Sequence, residues 1–170
     1  QYIYPYVRLY SFADILKSVS SLIFSLDIDK MYGDESVKNE LTHIRWKDME
    51  KLFPKKIKEP LSYKYMTYRE VLQWFGTNVC RTIYDDCWIE ACFRKIKEDN
   101  SLVSIIDDCR FPNEVYKSNE LGAKTIWLKR RIDEDVHPSE TALLSIEPNS
   151  FSKIIDNQNM TIMESLSLLL

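Results

Sequence analysis

Arg69, Gln73, Thr77 and Arg81 recur at four-residue steps. On a helix this spacing makes a slowly rotating polar stripe. Arginine donates two parallel bonds to a phosphate, and a carboxamide offers a base edge one donor and one acceptor. Gly76 lies between the stripe and the apolar face. A helix-interior glycine costs about 1 kcal/mol relative to alanine, so Gly76 suits close approach of a flat ligand or another backbone. The same residues also suit a solvent-facing stripe, with Gly76 easing helix packing.

Three further groups carry chemistry. Asp107, Asp108 and Arg110 follow the apolar run 102–106. Ligands of open α/β sheets bind beyond the carboxyl ends of strands, where such groups contact phosphate or hold metal-bound water. Asp108 and Arg110 serve equally as a structural pair holding the turn. Lys129, Arg130 and Arg131 precede Asp133, Asp135, His137 and Glu140. Basic residues ahead of a polar stretch suit a lid that excludes water and brings positive charge to a transferred phosphoryl group; a mixed-charge loop fits as well. In the last group, Phe12, Ala13, Asp14 and Lys17, Asp14 is a cap or ligand contact and Phe12 a core residue or stacking wall.

The elements that must position these groups follow from apolar spacing. Residues 2–10 read as a strand, with Pro5 favouring an edge. A helix is predicted over 12–26, with Leu16, Val19, Ile23 and Leu26 inward, Ser11 as its cap and Asp14 completing the reciprocal pattern. Residues 27–66 suggest short helices and loops, with a solvated lysine run at 51–58. A helix over 67–84 places Leu72, Phe75, Val79 and Ile83 on one stripe and is capped by Thr67 with Glu70. Another covers 86–97, with Ile89, Cys92, Phe93 and Ile96 inward. Residues 102–106 read as a buried parallel strand. Pro112 starts a helix that Gly122 stops, and 124–128 is a strand, so 102–128 forms a strand–helix–strand unit of the doubly wound kind. A last helix spans 161–169.

The composition sets limits. The 170 residues are 45% apolar and 29% charged with net charge -3, which fits one domain with a true core and gives no global attraction to nucleic acid. Cys80, Cys87, Cys92 and Cys109 lack metal-ligand spacing, so reduced, partly buried thiols are expected in an intracellular, cytoplasmic protein. Nothing reads as a membrane span or signal peptide. The start at Gln1 suggests a fragment or processed product. The glycines are Gly33, Gly76 and Gly122. They do not form G-x-x-x-x-G-K-[ST], the motif whose successive N–H groups cradle a triphosphate.

Several stretches together resemble the deoxynucleoside monophosphate kinases of phages and bacteria, within the P-loop kinases. They are SFADILK at 11–17, YREVLQWFGTNVCR at 68–81 followed by Trp88, IIDDCRFPNEV at 105–115, and DEDVHPSE at 133–140. Asp156–Asn157 before the final helix is a shorter echo. Ile15 stands where a proline is usual and Cys80 where a glycine is usual.

The resemblance implies a parallel-sheet α/β fold of the nucleoside monophosphate kinase type. It would form one domain over 1–170, with a helical monophosphate-binding region at 27–100 and a lid at 129–145. It implies transfer of the terminal phosphoryl group of ATP, with Mg²⁺, to a deoxynucleoside monophosphate. Phe12, Asp14, Lys17, Arg69, Gln73, Gly76, Thr77, Arg81 and Trp88 would line the acceptor. Asp108, Arg110, Arg130 and Arg131 would serve the phosphates, with His137 and Glu140 in the lid. It also places the first strand, P-loop and first helix upstream of Gln1. The chain is then expected to lack them and to expose an unpaired ladder, which a second copy or a partner chain would cover. The alternative is a kinase-derived structural or partner-binding protein of a viral assembly, without catalysis.

Overall fold

Ser11 opens the first helix from extended backbone, its hydroxyl accepting from the Ala13 N–H at 3.2 Å. The computed structural model describes residues 2–4, 7–50, 64–129 and 142–168. The chain divides into two units, Gln1–Ile105 and Ile106–Leu170.

In the first unit, β1 (Tyr2–Tyr4) and β2 (Val7–Tyr10) pair antiparallel, with Tyr2 opposite Arg8 and Tyr4 opposite Val7. Helix α1 (Phe12–Phe24) follows directly. The expectation that the first strand and first helix are absent is therefore wrong: β2 and α1 form them from residue 7 onward. Strand β2 lies between β1 and β5 (Val103–Ile106). Among the described residues, both sides of β2 have neighbours.

The single expected strand over 2–10 is thus two. The inward face of α1 also differs. Phe12 and Ser20 are buried, Leu26 is buried just beyond the helix, and Ile23 is exposed.

Short helices α2 (Ile28–Tyr32) and α3 (Glu35–Lys38) are capped by the Asp27 and Asp34 carboxylates. Strand β3 (Leu41–Arg45) then runs into α4 (Trp46–Glu50) and pairs antiparallel with β4 (Tyr65–Thr67). Thr42 and Ile44 point inward by strand alternation. The buried Thr42 hydroxyl donates to the Met66 carbonyl at 2.8 Å. The lysine run 51–58 lies outside the described residues.

Thr67 and Glu70 form the expected reciprocal cap: the Thr67 hydroxyl accepts from Glu70 N at 3.1 Å and the Glu70 carboxylate accepts from Thr67 N at 2.8 Å. The helix they open is not uniform. Helix α5 (Tyr68–Gln73) passes into a π-helical segment, Trp74–Cys80, then into α6 (Arg81–Ile83). Its fully buried face is Tyr68, Val71, Trp74 and Gly76; of the expected stripe, Leu72 and Val79 are half-buried against the core, Phe75 meets Phe24 edge-on with ring centroids 5.1 Å apart, and Ile83 is 80% exposed. The wider i→i+5 turn changes the direction of every later side chain. Tyr68, Val71 and Trp74 pack with Leu26, Met31, Ile44, Met49 and Met66 to make the core of this unit.

Helix α7 (Cys87–Asp99) buries Trp88, Ile89 and Cys92 and packs on α1. At its end Asp99 meets Arg8 at 2.6 Å, Lys95 at 2.6 Å and the Tyr10 hydroxyl at 3.2 Å. The bond from Lys95, then the Arg8 charge, hold the Asp99 carboxyl below its ordinary pKa against the opposing effect of burial. A depressed carboxyl stabilises the fold above the unfolded pKa, about 3.9 for aspartate. That contribution disappears as pH falls through the folded value. Asp99→Asn is expected to lower stability at pH 7 and to flatten the acid-side decline, as read by urea unfolding between pH 3 and pH 7. Strand β5 was expected to be covered on both faces. Among the described residues it is an edge strand instead, with Val103 and Ile105 exposed.

In the second unit, Pro112 starts α8 (Pro112–Glu120), and Gly122 takes a positive φ of 84° after its end. Strands β6 (Ile126–Lys129) and β7 (Lys153–Asp156) pair parallel, Ile126 opposite Lys153 through Lys129 opposite Asp156. Val115, Ser118, Ile146 and Ile155 are buried, and Trp127 meets Phe151 with ring centroids 5.2 Å apart. The final helix is α9 (Ile162–Ser167).

The fold is α/β, as expected. One continuous parallel sheet is not what the described residues form: β5 bonds to β2 and β6 bonds to β7, so β5–α8–β6 does not close within one sheet. Among the described residues, no helix is long and apolar enough to cross a membrane.

Candidate functional site

Asp14 and Lys17 stand three residues apart on α1 and both reach Tyr32, the last residue of α2. The Tyr32 hydroxyl donates to Asp14 Oδ1 at 2.8 Å, and Lys17 Nζ lies 3.9 Å from the ring centroid. Partial burial, then the Asp14 bond, push the Tyr32 phenol above its ordinary pKa. It therefore remains a donor at neutral pH, and the ring face holds the ammonium by cation–π attraction. Phe12 is buried, which fits the core reading of that residue better than a stacking wall.

Arg69, on the first turn of α5, pairs with Glu35 on α3. Both side chains reach solvent. Gln73 follows one turn later and is half-buried, while Thr77 is exposed within the π-helical segment. Gly76 is buried beneath them. A Cβ built there would stand 2.7 Å from Leu16 Cδ2, so the absent side chain lets α1 approach. The Gly76 carbonyl accepts from Arg81 N, and from Trp88 Nε1 at 3.2 Å. Trp88 thus acts as a buried brace for the wide turn.

Arg81 differs from Arg69. Its side chain is only 9% exposed, donates to the Asp85 carbonyl at 3.4 Å and lies 3.8 Å from Asp85 Oδ1. It addresses the turn between α6 and α7. Cys80 is half-buried, and burial pushes its thiol up, which keeps it neutral.

In the second unit, Asp108 is half-buried and Arg110 exposed. The turn carrying them is fixed by Glu114, whose carboxylate accepts from Arg110 N at 2.6 Å and Phe111 N at 2.9 Å. Arg130, Arg131, His137 and Glu140, with most of the lid at 129–145, lie outside the described residues. Among the described residues, no group of three or more His, Cys, Asp or Glu is placed to hold a metal ion.

The structure thus joins Asp14 and Lys17 through Tyr32, and Gly76 with Trp88. It turns Arg81 to a neighbouring turn. Sequence reasoning missed Tyr32, Glu35 and Glu114 as members of these clusters. For Glu114 a signal existed: a glutamate two positions after a helix-starting proline can reach back to the helix entry. Tyr32 and Glu35 carry no local signal.

The fold is an α/β protein whose first unit presents basic and carboxylate side chains on adjoining helices. No family model matches the chain. It is similar to "Putative deoxynucleotide monophosphate kinase" of Acanthamoeba polyphaga mimivirus, 29% identical over 168 residues that cover 91% of this chain and 76% of that protein. This likeness supports a distant kinase relative. It does not carry the expected picture of a family member stripped of its first strand and helix, since β2 and α1 are both in place.

Proposed function

We propose that the chain binds a deoxynucleoside monophosphate in its first unit and serves its phosphorylation as the acceptor-binding part of a kinase. One observation carries this reading. Arg69 and Gln73 stand one turn apart on α5, and the π-helical continuation of α5 is pressed through Gly76 onto α1, the helix that bears Asp14 and Lys17. Arg69 would take the phosphate as a two-pronged donor, and Gln73 would read a base edge. Lys17, held over Tyr32, would add positive charge nearby. The likeness to the mimivirus protein supports the same substrate class.

ATP and Mg²⁺ belong to that chemistry, but the described residues do not fit them. None of the three glycines opens a run of phosphate-facing N–H groups in a G-x-x-x-x-G-K-[ST] motif, and no metal-holding cluster is present among the described residues. A second reading, in which the chain binds the monophosphate without transferring to it, needs only the Arg69 and Gln73 side chains on α5.

Calorimetric titration of the full chain with the four deoxynucleoside monophosphates and the matching nucleosides tests binding. The monophosphates should bind more tightly. Arg69→Ala should weaken them by roughly 10- to 100-fold, the worth of charge-assisted hydrogen bonds, and leave the nucleosides unchanged. Equal affinity for nucleoside and monophosphate, or an inert Arg69→Ala, rejects the reading. A transfer assay with ATP and Mg²⁺ separates the kinase from the binding protein.

A further inference from the structure

We infer that Glu35 is a stand-in anion: its carboxylate occupies Arg69 in the free chain and is displaced by the phosphate of the ligand. The inference rests on the reading of Arg69 given above and deepens it, because it makes the site selective for a phosphorylated ligand. Among the described residues, Glu35 is the ion-pair partner of Arg69. The Glu35 side chain is 76% exposed and that of Arg69 37%. Such an exposed pair is weak, since solvent and salt screen it.

The backbone of Glu35 is nevertheless fixed. Asp34 caps α3 by accepting from Ser36 N at 2.9 Å and Val37 N at 3.1 Å, and the Glu35 carbonyl accepts from Asn39 N at 3.2 Å. The carboxylate is thus anchored close to Arg69 while remaining cheap to move. A phosphomonoester carries nearly two negative charges at neutral pH and three acceptor oxygens, and it matches the guanidinium fork better than a single exposed carboxylate. A nucleoside has no charge with which to compete. Glu35 therefore penalises unphosphorylated ligands and weaker anions, and exchange is favoured when the phosphate is dianionic. Once displaced, the carboxylate remains near the bound anion and repels it, so its presence limits affinity.

The test is calorimetry on the full chain with deoxynucleoside monophosphates and, separately, inorganic phosphate. Glu35→Gln should bind the monophosphates about two- to fivefold more tightly than wild type, the scale of removing one exposed competing charge. In an Arg69→Ala background the same substitution should give no gain, the mark of a coupled pair. The unfolding midpoint of Glu35→Gln should match wild type, because the Asp34 cap is untouched. If Arg69→Ala weakens binding but Glu35→Gln gives no gain or a loss, the stand-in role is overturned and the assignment of Arg69 survives. If Arg69→Ala changes nothing, both fall.

Discussion

Replacing Trp88 with alanine is expected to destabilise the first unit by about 3–5 kcal/mol, the range for truncating a buried aromatic side chain. Trp88 is buried on α7, and its indole N–H donates to the Gly76 carbonyl. The substitution opens a cavity beside the π-helical segment and removes a brace from its wide turn. Trp88→Phe separates the two effects. It keeps most of the packing and loses the hydrogen bond, for which a net cost of about 1 kcal/mol is ordinary. The Gly76 carbonyl keeps its bond from Arg81 N, which places the phenylalanine variant at the low end. Urea unfolding followed by circular dichroism gives both values. Hydrogen exchange should show the alanine variant losing protection first over residues 74–83. Equal stabilities for the alanine variant and wild type would show that Trp88 does not support this turn.

Glu114→Ala should cost the second unit about 2–4 kcal/mol. Glu114 is only 2% exposed, and its carboxylate takes two backbone N–H groups at the entry to α8. Hydrogen bonds to a charged group contribute about 1.5–3 kcal/mol each, and donors left without partners add desolvation cost. Loss of a helix-entry acceptor also frays the first turn. Because the freed N–H groups belong to Arg110 and Phe111, the turn that presents Asp108 and Arg110 should loosen with it. Faster amide exchange at residues 108–113 is the direct readout. Glu114→Gln retains one acceptor oxygen and should recover part of the loss. A wild-type exchange profile for the alanine variant would contradict this account.

The helix boundaries legible in the sequence depend on bonds between chain neighbours. Ser11, Thr67 with Glu70, Pro112 and Gly122 mark their helix ends because capping and turn geometry act over a few residues. The strands β3 and β4 were not legible. Leu41 pairs with Thr67 across a long stretch of chain, and the alternation over 41–45 is too short to separate a strand from a loop. The apolar stripe over 67–84 was legible in part, since Leu72 and Val79 pack against the core and Ile83 does not. The π-helical segment abandons the 3.6-residue period at Trp74, and Ile83 beyond it falls out of phase. The candidate site divides in the same way. Arginines and carboxamides at helical spacing point to anion and base recognition from their types alone. The partners that hold them, Tyr32 for Asp14 and Glu35 for Arg69, come from other helices and carry no spacing rule. The first strand and helix were themselves legible, from the strand-forming residues over 2–10 and the Ser11 cap, although the resemblance placed a first strand and helix upstream of Gln1.

The wide turn at Trp74–Cys80 also has consequences for how this region tolerates change in length. Bonding that skips one extra residue stores more chain per turn than an α-helix does, and each residue of an α-helix accounts for about 100° of rotation. Deleting one residue there would let the segment relax to ordinary pitch, and the lost residue and the tighter winding offset each other, so the helix beyond keeps roughly its phase. An inserted residue has no such compensation and would turn Arg81 away from the Asp85 turn and Trp88 away from Gly76. A single insertion in this stretch should therefore do more damage than a single deletion, because only the insertion changes the phase of the helix on which the next helix is hung.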